Sequence, residues 1–197
     1  MDVTSYLLGK NASGGGGTPS GGDKIKPLTL TFNANSGDVI NTQMIDTSLL
    51  TTFRNMFVNT TVEELDLSSW NTSKVTNMQN MFGSCKKLKT VKIGTAFDTS
   101  SVTTMDSMFN NCLVLENIPA FNASKVTNFG GMFSNVGPNL TDESLDNILL
   151  TCISAVSYTG TKTLNKLSFP SGWYPASRIQ ALPHYQDFIN AGWTIGY

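Results

Sequence analysis

Charge is scarce in this chain: 14 % of its 197 residues are Asp, Glu, Lys or Arg, and the formal net charge is −1. So weak a balance gives none of the basic footprint that nucleic acid selects. Histidine is rarer still. His184, the single one, follows Pro183 near a helix start with no partner in sequence, so a surface or capping role is expected rather than a catalytic base. Cys85, Cys112 and Cys152 form an odd set without the C-x-x-C spacing of zinc or redox sites. No apolar run reaches the 18 or more residues of a membrane-spanning helix. No G-x-S-x-G, H-E-x-x-H or EF-hand string occurs, and Gly14 to Gly17 open into a linker instead of joining a strand to a helix, as a phosphate loop would. Glu63, Glu64 and Asp66 flank one strand with alternating directions and make no paired-acid site. The expectation is a protein that is not an enzyme, with no cofactor and no metal.

What the chain has is a repeat. Val75-Thr76-Asn77-Met78-Gln79-Asn80-Met81-Phe82-Gly83-Ser84-Cys85-Lys86-Lys87-Leu88 returns as Val102-Thr103-Thr104-Met105-Asp106-Ser107-Met108-Phe109-Asn110-Asn111-Cys112-Leu113-Val114-Leu115. Val126 to Phe133 keeps the first half, with Phe129 in place of a Met, and Phe53-Arg54-Asn55-Met56-Phe57 is a more worn copy. The Met-Phe pairs at 56/57, 81/82, 108/109 and 132/133 lie 25, 27 and 24 residues apart. A period in this range marks units that stack on one another. Within a copy Met78, Met81 and Phe82 stand at i, i+3 and i+4, which predicts one face of a short helix. Leu65-Asp66-Leu67 and Val91-Lys92-Ile93 alternate, which predicts strands with one face buried, and Ile118 ahead of Pro119 is their counterpart. The expected fold class is therefore an α/β repeat: a leucine-rich-repeat-like right-handed solenoid of short helices and a narrow parallel sheet, with an N-terminal extended arm and a C-terminal cap. Trp70, Phe97 and Phe121 hold equivalent places and are expected to stack. Phe109 is expected to be fully buried. Cys85 and Cys112 would lie one copy apart, as buried thiols or as a disulfide.

The Val-Thr-x-Met-x-x-Met-Phe-x-x-Cys-x-x-Leu string resembles the BspA-type surface repeat, also described as the Mycoplasma lipoprotein repeat, a relative of leucine-rich repeats. The resemblance covers residues 46–140. It implies a right-handed solenoid used on bacterial or viral surfaces for adhesion, with no catalytic residues to carry over. Asn135-Val136-Gly137-Pro138 replaces the Cys segment of the pattern, so the array is expected to end or change there.

In chain order, residues 1–22 combine a short apolar peptide carrying Tyr6, Leu7 and Leu8 with a Gly/Ser-rich tether. They read as an anchor docking on a partner, with a segment lacking fixed structure as the competing reading. Asp2 and the brevity of the apolar stretch do not look like a secretory signal. Residues 23–45 contain an alternating strand, Leu28, Leu30 and Phe32, expected to cap the first edge. Residues 46–140 are the repeats, and 141–197 are a helical and strand cap. There Thr141 is the expected N-cap of a helix to about Ala155, Leu164, Leu167 and Phe169 suggest a strand, and two short helices follow near 177–182 and 183–190 before a last strand from Trp193 to Tyr197. Lys86, Lys87, Lys89 and Lys92 are the one charge cluster, read as a solvated face or as a patch for an anionic surface such as acidic glycan.

The opening and the tail (Tyr158 to Leu164, Ala191 to Tyr197) resemble the ends of phage-encoded structural and repeat proteins. With the surface-type repeat, this implies a non-enzymatic virion protein of a tailed phage, a decoration or head fibre. Residues 1–22 would bind other virion proteins (capsid, portal or tail), and the repeats would face a host cell-surface glycan or protein. The alternative is a bacterial cell-surface adhesin of the BspA type. Nothing in the sequence dictates or excludes a homo-oligomer.

Overall fold

The computed structural model describes residues 46–163 and 173–195. The anchor peptide with Tyr6, Leu7 and Leu8, the strand at Leu28 to Phe32 and the Leu164 to Phe169 stretch lie outside the described residues. The described elements are β1 (Glu64–Leu67), β2 (Thr90–Ile93), α1 (Asp142–Ser154), α2 (Ala176–Gln180) and α3 (Tyr185–Asn190).

The two strands form as their alternation predicts. β1 and β2 pair in parallel with Leu65 opposite Val91 and Asp66 opposite Lys92. Leu65, Leu67 and Val91 are buried while Glu64 and Lys92 face water. The third copy joins them only through a single bridge, Thr90 to Asn117. Pro119 has no N–H to donate, so pairing stops beside it.

The helix predicted over Met78 to Phe82 does not form. In its place the chain makes consecutive turns, and its amides alternate between two directions. Met81 N–H donates to Met78 O at 3.3 Å and Cys85 N–H to Phe82 O at 3.2 Å, within the copy. Met78, Asn80, Phe82 and Ser84 donate to Thr104 O, Asp106 O, Met108 O and Asn110 O of the next copy, at 2.7–3.0 Å. The following copy repeats this: Met105, Ser107, Phe109 and Asn111 donate to Asn128 O, Gly130 O, Met132 O and Ser134 O. A helix is blocked because every copy places two residues at positive φ. One column is Asn55, Asn80, Ser107 and Gly131, and the other is Asn59, Ser84, Asn111 and Asn135, all with φ between 54° and 62°. Left-handed residues cannot continue an α-helix; Gly and Asn tolerate the conformation most readily, and they fill six of the eight places, Ser84 and Ser107 the other two. The 3-and-4 spacing of apolar residues survives because a chain of turns also returns Met78, Met81, Phe82 and Cys85 to the interior, where all four are fully buried.

The core is a column of rings and thioethers. Phe57, Phe82, Phe109 and Phe133 stack in sequence, with centroids 5.6, 5.0 and 6.0 Å apart and planes within 16° of parallel. This stack uses the Phe of each Met-Phe pair. Trp70 and Phe121 flank it instead of forming a spine of their own: Trp70 meets Phe53 and Phe57, and Phe121 meets Phe109. Beside the rings, Thr60, Cys85, Cys112 and Val136 occupy one buried position in successive copies. All three cysteines are free thiols. The Cys85 thiol donates to Phe57 O at 2.9 Å and that of Cys112 to Phe82 O at 3.1 Å.

α1 begins where the sequence places it. Thr141 Oγ1 accepts from Ser144 N–H at 3.2 Å, and Asp142 and Glu143 sit at the positive end of the helix dipole. Its hydroxyls then take the place of a further copy. Ser144 Oγ, Thr151 Oγ1 and Ser154 Oγ accept from the backbone N–H groups of Ile118, Phe121 and Ala123 at 3.1, 3.0 and 2.8 Å. Asn147 Nδ2 donates to Ile118 O at 2.9 Å. A backbone edge that would otherwise be buried unpaired is thus satisfied by one helix face.

Two further contacts tie the chain beyond α1 back to the segment that precedes it. Tyr174 is fully buried; its hydroxyl donates to Gly137 O at 2.6 Å and accepts from Leu140 N–H at 3.1 Å. Arg178 pairs with Asp142 at 2.7 Å and donates to Leu140 O at 2.9 Å. We expect Tyr174→Phe, which keeps the ring and strips both partners, to cost about 2 kcal/mol in denaturant unfolding. An unchanged midpoint would mean that the hydroxyl bridges nothing. The short helices are narrower than predicted. Pro183 does not open α3, because His184 N–H is held by Asp146 Oδ1 at 3.0 Å and the helix starts after it. Of the last predicted strand, the described part makes one bridge, Thr163 to Thr194. No helix among the described residues is long and apolar enough to cross a membrane.

Candidate interaction surface

The lysine cluster runs from the turn after Cys85 into β2 and is only partly uncommitted. Lys89 Nζ pairs with Glu63 at 2.8 Å and Lys92 Nζ with Glu64 at 2.7 Å, both exposed. The hydrogen bond to Glu63, then its charge, pushes Lys89 above the usual ammonium range, and the same bond holds the Glu63 carboxyl below its usual value. Glu64 likewise raises Lys92. Lys86 and Lys87 stand exposed in the turn after Cys85. Glu63, just before β1, and Glu64 within it therefore offset half of the cluster that the sequence presents as uniformly basic.

A second surface follows from the left-handed columns. Because the chain reverses hand at Asn55, Asn80 and Ser107, the residues just before them reach the surface in register across three copies while the methionines just after them are buried. Arg54, Gln79 and Asp106 fall at one equivalent position, three before the Phe of each copy. Asn80 Nδ2 donates to Asn55 Oδ1 at 2.9 Å, and Gln79 Nε2 to Asp106 Oδ2 at 3.0 Å. With Asn110 these groups line an open cleft of about 300 Å³. The sequence reading missed this cleft. The signal is a polar or small residue at two fixed places per copy, Asn55, Asn80, Ser107 and Gly131 in one column and Asn59, Ser84, Asn111 and Asn135 in the other, and a helical reading of Met78 to Phe82 hides it. Another concavity of about 330 Å³ lies between β2 and α1, lined by Thr90, Lys92, Asn117, Pro119, Glu143 and Asn147.

His184 is engaged structurally. Its Nδ1 lies 2.7 Å from Asp146 Oδ2, tying the start of α3 to α1. Among the described residues no group of three or more His, Cys, Asp or Glu is placed to hold a metal.

The thiols give the fold a definite pH response. Burial pushes Cys85 and Cys152 up and Cys112 well up, and burial also raises Tyr174. Each of these groups is kept protonated by the folded state and ionises in the unfolded chain once pH passes its ordinary value. Their contribution is complete below about pH 8.5 and is lost as pH rises towards the folded values. Stability is therefore expected to fall on the alkaline side. Cys112→Val, which places there the residue that Val136 supplies in the fourth copy, should flatten the decline by up to about 1.4 kcal/mol per pH unit above pH 9. Equal slopes in the two proteins, measured by unfolding at stepped pH, would contradict burial of this thiol.

The model of a family described as "Mycoplasma protein of unknown function, DUF285" matches residues 27–145. No curated protein and no solved structure matches the chain.

Proposed function

Since the chain belongs to the DUF285 family, a domain found in BspA-like surface repeat proteins, we propose that it is a non-enzymatic display module that works by surface contact. In this reading the copies are consecutive turns of a leucine-rich-repeat-like right-handed solenoid, and α1 with the segments behind it closes one end. The observation that carries the reading is the division of labour in each copy. Met, Phe and the small Cys, Thr or Val turn inward, while Asn, Gln, Thr, Arg and Lys stand outward in columns that cross from copy to copy. Such an arrangement turns its regularity into an extended outer face, as repeat proteins built for binding do.

The finer proposal sets this module on the particle of a tailed phage as a decoration or head fibre. Residues 1–22 would dock on capsid, portal or tail proteins. Its support is compositional: an apolar peptide with Tyr6, Leu7 and Leu8, followed by a glycine-rich tether, suits attachment to a larger body. A bacterial cell-surface adhesin is the second reading, favoured by the Mycoplasma description of the matched family. Mass spectrometry of density-purified particles from the source culture separates them. Peptides from both the repeats and residues 1–22, co-purifying stoichiometrically with a capsid protein, are the expected result. Recovery in the cell envelope alone would overturn the virion assignment in favour of the adhesin.

A further inference from the structure

We infer that the cleft across the first three copies is a subsite for a neutral, polyhydroxylated ligand, that is, a glycan. This rests on the surface-contact reading above and names what one part of that surface takes up. The lining decides the class. It consists of a guanidinium, four side-chain amides, a carboxylate and the Ser107 hydroxyl, with no aliphatic or aromatic side chain in it, so an apolar ligand would gain nothing by entering. Arg54 and Asp106 cancel in charge, which favours neither a polyanion nor a polycation.

The groups are also held in place before any ligand arrives. Asn80 commits an amide N–H to Asn55 Oδ1, and Gln79 commits one to Asp106 Oδ2. These bonds fix the planes of four side chains. They leave the Asn55 amide as donor, and Gln79 Oε1 and Asp106 Oδ1 as acceptors. The Arg54 guanidinium, which makes no ion pair among the described residues, adds donors at one end. Donors and acceptors set side by side in fixed planes match adjacent sugar hydroxyls, each of which gives one hydrogen bond and takes others. Fixing them beforehand lowers the ordering cost of binding. At the far end the fourth copy carries Gly130, where a Cβ would stand 2.7 Å from Asp106 Oδ1. The glycine leaves that carboxylate oxygen uncovered, where a side chain would close it off.

The test uses the full chain on a printed array of neutral oligosaccharides alongside sulfated ones, followed by titration of any hit. The expected result is binding to at least one neutral oligosaccharide, weakened tenfold or more by Asp106→Ala and by Gly130→Val. Lys86→Ala/Lys87→Ala should change it less than twofold. Thermal unfolding of each exposed-site variant keeps loss of fold apart from loss of binding. Where Gly130→Val lowers stability, Arg54→Ala and Asp106→Ala carry the test. Binding confined to sulfated sugars and abolished by the lysine variant overturns the cleft as the subsite while leaving surface contact in place. Cell adhesion without any neutral-glycan binding does the same. Failure of both glycan binding and cell adhesion overturns the inference and the reading beneath it.

Discussion

Phe109→Ala should cost about 3–5 kcal/mol of unfolding free energy. The ring is fully buried and touches three others: Phe82 at 5.0 Å, Phe133 at 6.0 Å and Phe121 at 6.1 Å. Removing it leaves a void that the neighbours cannot easily fill. The distance between copies is set by backbone bonds, Phe82 N–H to Met108 O and Phe109 N–H to Met132 O, each 2.9 Å, and collapse would have to break them. The cost therefore falls near the full transfer-plus-cavity value and not near the lower one of a site that relaxes. A loss of this size is a large part of the stability of an ordinary domain, so Phe109→Leu, expected to cost about 1.5 kcal/mol, provides a graded second point. Denaturant unfolding of both variants gives the answer. A loss under about 1 kcal/mol for the alanine would mean that the ring is not the spacer between copies.

Gly137→Ala should be nearly as damaging for a different reason. A Cβ at this position would stand 1.7 Å from Leu113 O and 2.6 Å from Leu113 C, both backbone atoms of the preceding copy. No rotamer change relieves a clash with backbone. The segment cannot back away without surrendering Gly137 N–H to Cys112 O at 3.3 Å and the Tyr174 hydroxyl on Gly137 O at 2.6 Å. We expect a loss of roughly 3 kcal/mol, the upper end for overpacking. Gly131→Ala is the informative contrast. Gly131 has φ +61°, but its Cβ would meet only Ser107 Oγ at 3.5 Å and Ser134 Cβ at 3.9 Å, so it should cost just the left-handed penalty of about 1 kcal/mol. Similar losses at the two sites would contradict the close approach at Gly137.

How far the sequence could be read depends on which signals are local. The period of the Met-Phe pairs, the alternation in Leu65-Asp66-Leu67 and Val91-Lys92-Ile93, and the N-cap at Thr141 all depend on neighbours in the chain. Each reappears in the structure. The family match over residues 27–145 agrees with the repeat that carried the resemblance. The helix expected over Met78 to Phe82 failed because apolar spacing does not report backbone hand. A string of turns with Asn80 and Ser84 left-handed buries the same residues. The expected stack of Trp70, Phe97 and Phe121 gives way to one of Phe57, Phe82, Phe109 and Phe133, because both sets share a place in the repeat. Only distances show which set stacks. Tyr174 on Gly137 and Leu140, and His184 on Asp146, join residues 34 to 38 apart, and no spacing rule announces such pairs. The polar cleft was the largest omission. Gln79 and Asn80 read as the solvent side of a short helix one copy at a time, and they become part of a cleft only when three copies are aligned.

Whether the copies are successive turns of one stack or a series of short helices is decided by through-hydrogen-bond scalar couplings in NMR of the isotope-labelled chain. Stacked turns give couplings from the amide nitrogens of Met78, Asn80, Phe82 and Ser84 to the carbonyl carbons of Thr104, Asp106, Met108 and Asn110. A second set should run from Met105, Ser107, Phe109 and Asn111 to Asn128, Gly130, Met132 and Ser134. Couplings confined within each copy, running from each amide to the carbonyl four residues earlier as in an α-helix, would contradict the stack.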